Sequence, residues 1–238
     1  MKNITGQIWG IGVGPGDPDL MTLKAHRILQ EADVIAYPAP AGSNSLVRSI
    51  AAPHIPAGAE EFIISTPMDV TRHPAQDVYD WATGEIGKMA DAGKSVAVLC
   101  EGDPFFYGSF MYLYSRLSGS YDVKVIPGVS SVNACAAELG IPLAARSDVI
   151  SAIPATLDAE ALKARLRTAD TALIIKAGRH LKKVKQVLES LGVSDNAMYI
   201  ERATMDNQRI LPLSQVSEDT APYFSMIIVR LGGESRAL

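Results

Sequence analysis

The stretch QIWGIGVGPGDPDLMTLKAHRILQEA, residues 7–32, runs an apolar segment through a turn with Gly10, Gly12, Gly14 and Gly16 into a segment of helical spacing. Strand, glycine-rich turn and helix in that order is how many nucleotide-binding α/β units begin, so the turn raises the question of a ligand. A dinucleotide fingerprint needs glycines spaced GxGxxG and an acid at the end of the next strand. Counting from Gly10 puts Pro15 where the third glycine belongs, and counting from Gly12 puts Asp17 there. Asp33 starts the second strand instead of ending it, and no GK[ST] follows to make a P-loop. Pro15 and Pro18 lack an N–H to donate, which makes the turn a poor anion nest. Two readings remain: glycines for close packing of strand and helix, or a ligand without phosphate.

The same alternation continues through the first half. Apolar runs DVIAYP, EFIIST, SVAVLC and YDVKVIP read as strands, with helical patterns in SLVRSIA, AQDVYDWATGEIGKMADAG and SFMYLYSRLSG. Continuous apolar strands separated by helices predict a parallel sheet covered on both faces. The second half changes character. VISAIP and TALIIKAG alternate with helical DAEALKARLRTA and HLKKVKQVLESLG, but AMYIERAT, RILPL and YFSMIIVRLG have little helix between them. That sheet should be mixed. The spacing therefore predicts an α/β protein of two α/β domains, residues 1–126 and 127–238, with a cofactor cleft between them. Leu181, Val184, Val187, Leu188 and Leu191 repeat at helical spacing, and Lys182, Lys183 and Lys185 read as that helix's solvated face.

Composition narrows the function. At 238 residues, with 47% hydrophobic and 20% charged, the chain has the make-up of an ordinary globule and the length for two modest domains. No apolar run approaches the roughly 20 residues of a membrane helix. The opening MKNITGQIWG lacks the basic-then-apolar order of a leader, so a cytoplasmic location is expected. The net charge of −4 argues against a nucleic-acid partner. Cys100, Cys135 and the four histidines are scattered without ligand spacing, so no metal is expected and both cysteines read as small buried hydrophobes.

Two further loops follow strands. CEGDPFFYGSF places Glu101, Gly102, Asp103 and Pro104 directly after the fourth strand, where ligands of parallel sheets bind. Pro104 biases Asp103 toward extended backbone, and Gly102 lets the main chain approach a ligand. Phe105, Phe106 and Tyr107 either pack on a flat ring or form a core cluster. IPGVSSVNACAAE offers Ser130 and Ser131 as helix caps or as hydroxyl partners.

The motifs GIGVGPGDPDLMTLKA, EGDPFFYG, IPGVSS, IPLAAR, LIIKAG and YIERATMDNQR, in this order over nearly the whole chain, resemble those of the tetrapyrrole methyltransferases. The resemblance implies a two-domain enzyme that uses S-adenosyl-L-methionine, a cofactor without phosphate, and that forms a homodimer. It implies a cofactor site of Pro15, Glu101, Gly102, Asp103, Phe106, Ser130 and Ser131, with Ala177 and Ala203 of the second domain; the KAG around Ala177 departs from the Met-Gly of some relatives. EGDPFFYGSFMYLYSRL is most similar to the branch that methylates C20 of precorrin-2, giving precorrin-3A in cobalamin biosynthesis. The same reaction on cobalt-factor II is the alternative. Glu101, Asp103 and Tyr107 are the candidate bases for the proton lost from C20. A substrate with eight carboxylates calls for cations, and Arg48, Arg146, Arg179 and Arg202 are the candidates, with Arg72 and Arg209 also near loops.

Overall fold

A computed structural model describes residues 6–66 and 75–237; Arg72 lies outside the described residues. The chain divides into two compact units, Met1–Ser131 and Val132–Leu238.

In the first unit the apolar runs become β1 (Ile8–Gly12), β2 (Val34–Pro40), β3 (Glu60–Thr66), β4 (Val96–Cys100) and β5 (Val123–Ile126). They form one sheet in the order β3-β2-β4-β1-β5, and every pairing is parallel. β1 and β4 are buried along their whole length, as continuous apolar strands covered on both faces must be. Helices α1 (Leu23–Glu31), α2 (Leu46–Ala51), α3 (Ala75–Asp91) and α4 (Phe110–Leu117) complete the unit. Thr22 caps α1, its hydroxyl accepting from Ala25 N at 3.2 Å, and Asp17 caps the 3-10 turn Pro18–Leu20 just before it. On one face of the sheet Tyr79, Ala82 and Ile86 of α3 and Phe110, Leu113 and Leu117 of α4 enclose Ile8, Val34, Val98 and Cys100. Gly10 belongs to this packing: a Cβ there would lie 2.1 Å from the Phe110 ring.

The second unit follows from α5 (Ser131–Leu139) onward. It contains β6 (Ile150–Pro154), α6 (Ala159–Leu166), β7 (Thr171–Ile175), α7 (Leu181–Ser190), β8 (Ala197–Glu201), β9 (Arg209–Pro212) and β10 (Ser225–Arg230). The sheet order is β6-β7-β10-β8-β9, with β6 and β7 parallel and the other pairs antiparallel, so the sheet is mixed as the sequence predicts. β10 alternates between two cores. Ile227 and Val229 pack with Ile174, Val184 and Leu188, while Met226 and Ile228 pack with Ile175, Ile200 and Cys135. Burial pushes the thiols of Cys100 and Cys135 up to about 11 and about 12, so both are inert fillers of their cores.

The lysines of α7 correct one expectation. Lys182 is exposed and pairs with Asp219 at 3.0 Å, but its two neighbours are not a solvated face. Lys183 Nζ donates to the carbonyls of Ala155, at 2.6 Å, and Leu157, and Lys185 Nζ donates to those of Val216 and Glu218. Their stems run along apolar surface while the ammonium groups satisfy carbonyls of turning chain that no strand partner reaches. Among the described residues no helix is long and apolar enough to cross a membrane.

Candidate functional site

The order β4-β1-β5 puts three strand-end loops side by side at the carboxyl edge of the first sheet. They touch through their main chains. Gly102 N donates to Gly14 O at 2.8 Å and Gly14 N to Gly102 O at 3.3 Å, an isolated antiparallel bridge in which Gly14 holds φ +87°. A Cβ on Gly128 would fall 2.0 Å from Gly102 O, and one on Gly12 would fall 2.5 Å from Gly128 N. Real Cβ atoms do not come that close. Close packing is thus what Gly10, Gly12 and Gly128 are for, so of the two readings of the opening stretch it accounts for two of its four glycines. Gly102 differs: with φ +60°, the nearest atom to its hypothetical Cβ is Ser131 N at 3.8 Å.

Asp103 binds the same junction through its side chain. Oδ1 accepts from Phe105 N at 2.9 Å and Phe106 N at 3.1 Å, and Oδ2 accepts from Gly128 N at 3.1 Å. Pro104, which has no N–H, leaves the next two amides to make those bonds. Both oxygens of the expected acid are therefore occupied in bracing the EGDP loop to the PGVSS loop. Glu101 is in the opposite situation. It is partly buried, the donor beside it is its own backbone N–H, and burial pushes its carboxyl above the usual carboxylate range. Phe105 leans on Tyr114, ring centroids 5.0 Å apart, and Phe106 meets Tyr107 edge-on at 5.2 Å; all three loop rings keep substantial exposed surface. Tyr107 holds φ +57°, a backbone state uncommon outside glycine and often found at functional sites. Pro15 follows bridged Gly14, and Ser130 and Ser131 lie where the third loop enters α5. The structure thus brings Pro15, Glu101, Gly102, Asp103, Phe106, Tyr107, Ser130 and Ser131 to one edge of the first unit.

In the second unit, β7 and β8 both run antiparallel to β10 between them, so their carboxyl ends emerge at one edge. Ala177 and Ala203, both buried, sit in the turns there. Those turns hold non-glycine residues at positive φ: Lys176 (+56°), Arg202 (+51°) and Thr204 (+66°). Arg202 N donates to Phe224 O at 2.8 Å, and its guanidinium donates to Glu201 at 2.8 Å. Glu201 is buried and also accepts from the Tyr199 hydroxyl. Arg209 lies opposite Glu201 in the strand register and pairs with Glu218 at 2.8 Å, and Arg179 is exposed in the turn Gly178–His180. Three arginines therefore stand at this edge, two of them paired with carboxylates. Two expected arginines are elsewhere. Arg48 forks onto Glu61, the second residue of β3, at 2.9 and 3.1 Å and away from the strand-end loops, and exposed Arg146 pairs with Glu234 at 3.4 Å. Glu201 and Gly128 stand inside the quoted motifs, but only the strand register shows what each touches.

A family model for tetrapyrrole (corrin/porphyrin) methylases matches residues 7–217. The chain is 41% identical over 241 residues to the cobalamin biosynthesis protein CobIJ of Mycobacterium tuberculosis, covering 98% of this chain and 47% of that protein. It thus spans about half the length of those mycobacterial relatives. It is 38% identical over 232 residues to the precorrin-2 C(20)-methyltransferase of a Sinorhizobium species, covering 94% of this chain and 95% of that one. With the cobalt-precorrin-2 C(20)-methyltransferase of Salmonella typhimurium the identity is 27%, over 95% and 97% of the two chains. Among solved structures, the cobalt precorrin-4 methyltransferase CbiF superposes with a TM-score of 0.74 at 23% identity, over 99% and 98% of the chains. The uroporphyrin-III C-methyltransferase of Thermus thermophilus, complexed with S-adenosyl homocysteine, superposes with a TM-score of 0.70 at 24% identity, over 97% and 93%. The structures share the fold, the family model covers most of the sequence, and this chain belongs to the tetrapyrrole (corrin/porphyrin) methylases.

Proposed function

We propose that this chain methylates C20 of precorrin-2 with S-adenosyl-L-methionine as donor, giving precorrin-3A in cobalamin biosynthesis. The observation that carries the reading is the 38% identity with the Sinorhizobium enzyme over nearly all of both chains, against 27% with the Salmonella enzyme. The latter supports a second reading, in which the substrate carries cobalt.

The chemistry of the first unit's edge suits the cofactor. When bound, S-adenosylmethionine supplies an electrophilic methyl group on a sulfonium cation. A junction closed by glycine main chains, with prolines where a phosphate nest would need donors and a partly buried acid, fits a cation without phosphate. Pro15, Glu101, Gly102, Asp103, Phe106, Ser130 and Ser131 would hold it there; Ala177 and Ala203, which the resemblance assigns to the adenine, lie in turns at one edge of the second unit. Of the three candidate bases Glu101 is favoured: a carboxyl raised by burial binds a proton more readily, whereas Asp103 has both oxygens engaged. Tyr107 remains the candidate in reach of the exposed aromatic loop. Arg179 and Arg202, with Arg209 beside them, are favoured for the substrate carboxylates, since Arg48 and Arg146 stand elsewhere. We also propose that the enzyme works as a homodimer in the cytoplasm; two free, buried cysteines accord with a reducing compartment.

The test is mass spectrometry of precorrin-2 and of its cobalt-loaded counterpart, each incubated with isotopically labelled S-adenosylmethionine. Transfer of one labelled methyl to C20 of precorrin-2 is expected. Transfer only to the cobalt form would select the second reading, and transfer to neither would overturn both.

A further inference from the structure

A cavity of about 280 Å³ opens in the second unit, lined by Ile141, Asp195, Asn196, Met198, Ile228, Arg230 and Arg236. It is remote from the edge that carries Ala177 and Ala203. Arg230 ends β10 whereas Ser225, next to that edge, begins it, and six residues of strand span roughly 17 Å. The lining is coherent in register. Met198 stands directly opposite Ile228, and Ile228 and Arg230 are two apart on β10, so all three share one face of the sheet. Thr171 stands opposite Arg230 on β7 and shares that face too.

Two polar atoms of this corner lack what buried polar atoms normally have. Arg230 Nε and Thr171 Oγ1 are both buried without a hydrogen-bond partner among the described residues, although Arg230 also donates to Ser235 O. Both atoms are closed off from the cavity, so it is the rest of the Arg230 side chain that lines it. Arg236, which donates to Asn196 Oδ1 at 3.0 Å and to Leu231 O at 3.3 Å, brings a second guanidinium to the same wall.

We propose that this cavity is a binding site for a small organic carboxylate. The carboxylate would accept from Arg230 and Arg236, and a short aliphatic stem would lie on Ile141, Met198 and Ile228. Asp195 on the same wall disfavours a multiply charged anion such as phosphate and leaves one negative charge as the match for two guanidiniums. The site is independent of the proposed methyl transfer, since it uses none of those residues.

Calorimetric titration of the full chain with sodium butyrate, acetate, phosphate and chloride at constant ionic strength tests it. Butyrate is expected to bind saturably, about tenfold tighter than acetate from its two extra methylenes, with phosphate and chloride weaker still. Arg236→Gln, on an exposed side chain, should weaken butyrate about tenfold and leave methyl transfer and S-adenosylmethionine affinity unchanged. Arg230→Lys, which keeps the charge and loses the fork, should weaken it as well. No saturable butyrate binding, phosphate binding as tight as butyrate, or butyrate affinity untouched by Arg236→Gln would each overturn the proposal. No methyl transfer by the parent protein, with its butyrate binding intact, would count against the proposed function alone.

Discussion

Asp103 Oδ2 accepts a 3.1 Å hydrogen bond from Gly128 N, joining two loops 25 residues apart in sequence. At that bond Gly128 is too close to Gly102 and Gly12 for any side chain. One carboxylate thus fixes the spacing of two of the loops proposed to hold the cofactor, and the Gly14–Gly102 bridge ties the third to them. Asp103→Ala leaves the amides of Phe105 and Gly128 without their acceptor, and that of Phe106 with only Asp103 O at 3.4 Å, and should destabilise the fold by about 2 kcal/mol. It should also raise the Michaelis constant for S-adenosylmethionine more than it lowers the turnover number. Denaturant melts and initial rates check both; a turnover collapse with cofactor affinity intact would make Asp103 the base after all.

The glycine junction predicts a contrast between substitutions. Gly128→Ala forces a Cβ to within 2.0 Å of Gly102 O, backbone that cannot swing aside, and should cost about 3 kcal/mol or more. Gly84 is exposed in α3 with nothing within 4 Å of its Cβ direction, so Gly84→Ala should stabilise by about 0.5–1 kcal/mol. Thermal melts of the pair read the difference directly. Equal effects would mean that the close approach at Gly128 is not what holds the loops.

Glu101 titrates higher in the folded chain than in the unfolded one because burial disfavours its charge. Folding therefore takes up a proton there, and the ionised carboxylate destabilises the native state once the pH rises above its folded value. Glu101→Gln removes that charge. Its melting temperature should exceed the parent's near neutral pH, and the advantage should vanish as pH falls below the ordinary value of 4.5. Methyl transfer should move the other way, falling about a hundredfold for loss of a general base. A variant that is less stable at neutral pH would contradict the burial argument.

The arginines at the edge of the second unit make a claim about the substrate. Arg179→Gln and Arg202→Gln should each raise the Michaelis constant for the tetrapyrrole about tenfold, the scale of one charge-assisted contact, and leave that for S-adenosylmethionine unchanged. Added salt should raise the tetrapyrrole constant in the parent. Arg48→Gln, at a guanidinium held on Glu61 away from the strand-end loops, should leave both constants alone.

The sequence made the strands legible because each is an apolar run, and it made the mixed second sheet legible because three of its strands have little helix between them. What it could not show was adjacency. β5 lies next to β1 only because the chain crosses β1 between β4 and β5, and that crossing alone brings Gly128 against Gly12 and Asp103 within reach of Gly128. Asp103 therefore read as a site acid when it is also a brace. The cavity at Arg230 was hidden for the same reason, being assembled from Ile141, Met198 and Ile228 by strand register.

Lysines at 182, 183 and 185 look alike in sequence, and the structure predicts that they are not alike in energy. Lys183 Nζ donates to two carbonyls of the turn after β6, Ala155 and Leu157, in a partly buried setting. Lys183→Met keeps the apolar stem and deletes the donor, leaving both carbonyls short of a partner, and should cost about 2 kcal/mol. Lys182 makes one exposed pair with Asp219, and Lys182→Met should change stability by less than about 0.5 kcal/mol. Raising the salt concentration should erase what little Lys182 contributes and leave the Lys183 effect in place, because screening acts on exposed charge pairs and far less on a partly buried donor. Urea melts of the two variants at low and high salt separate these outcomes, and equal, salt-sensitive losses would return Lys183 to the solvated face.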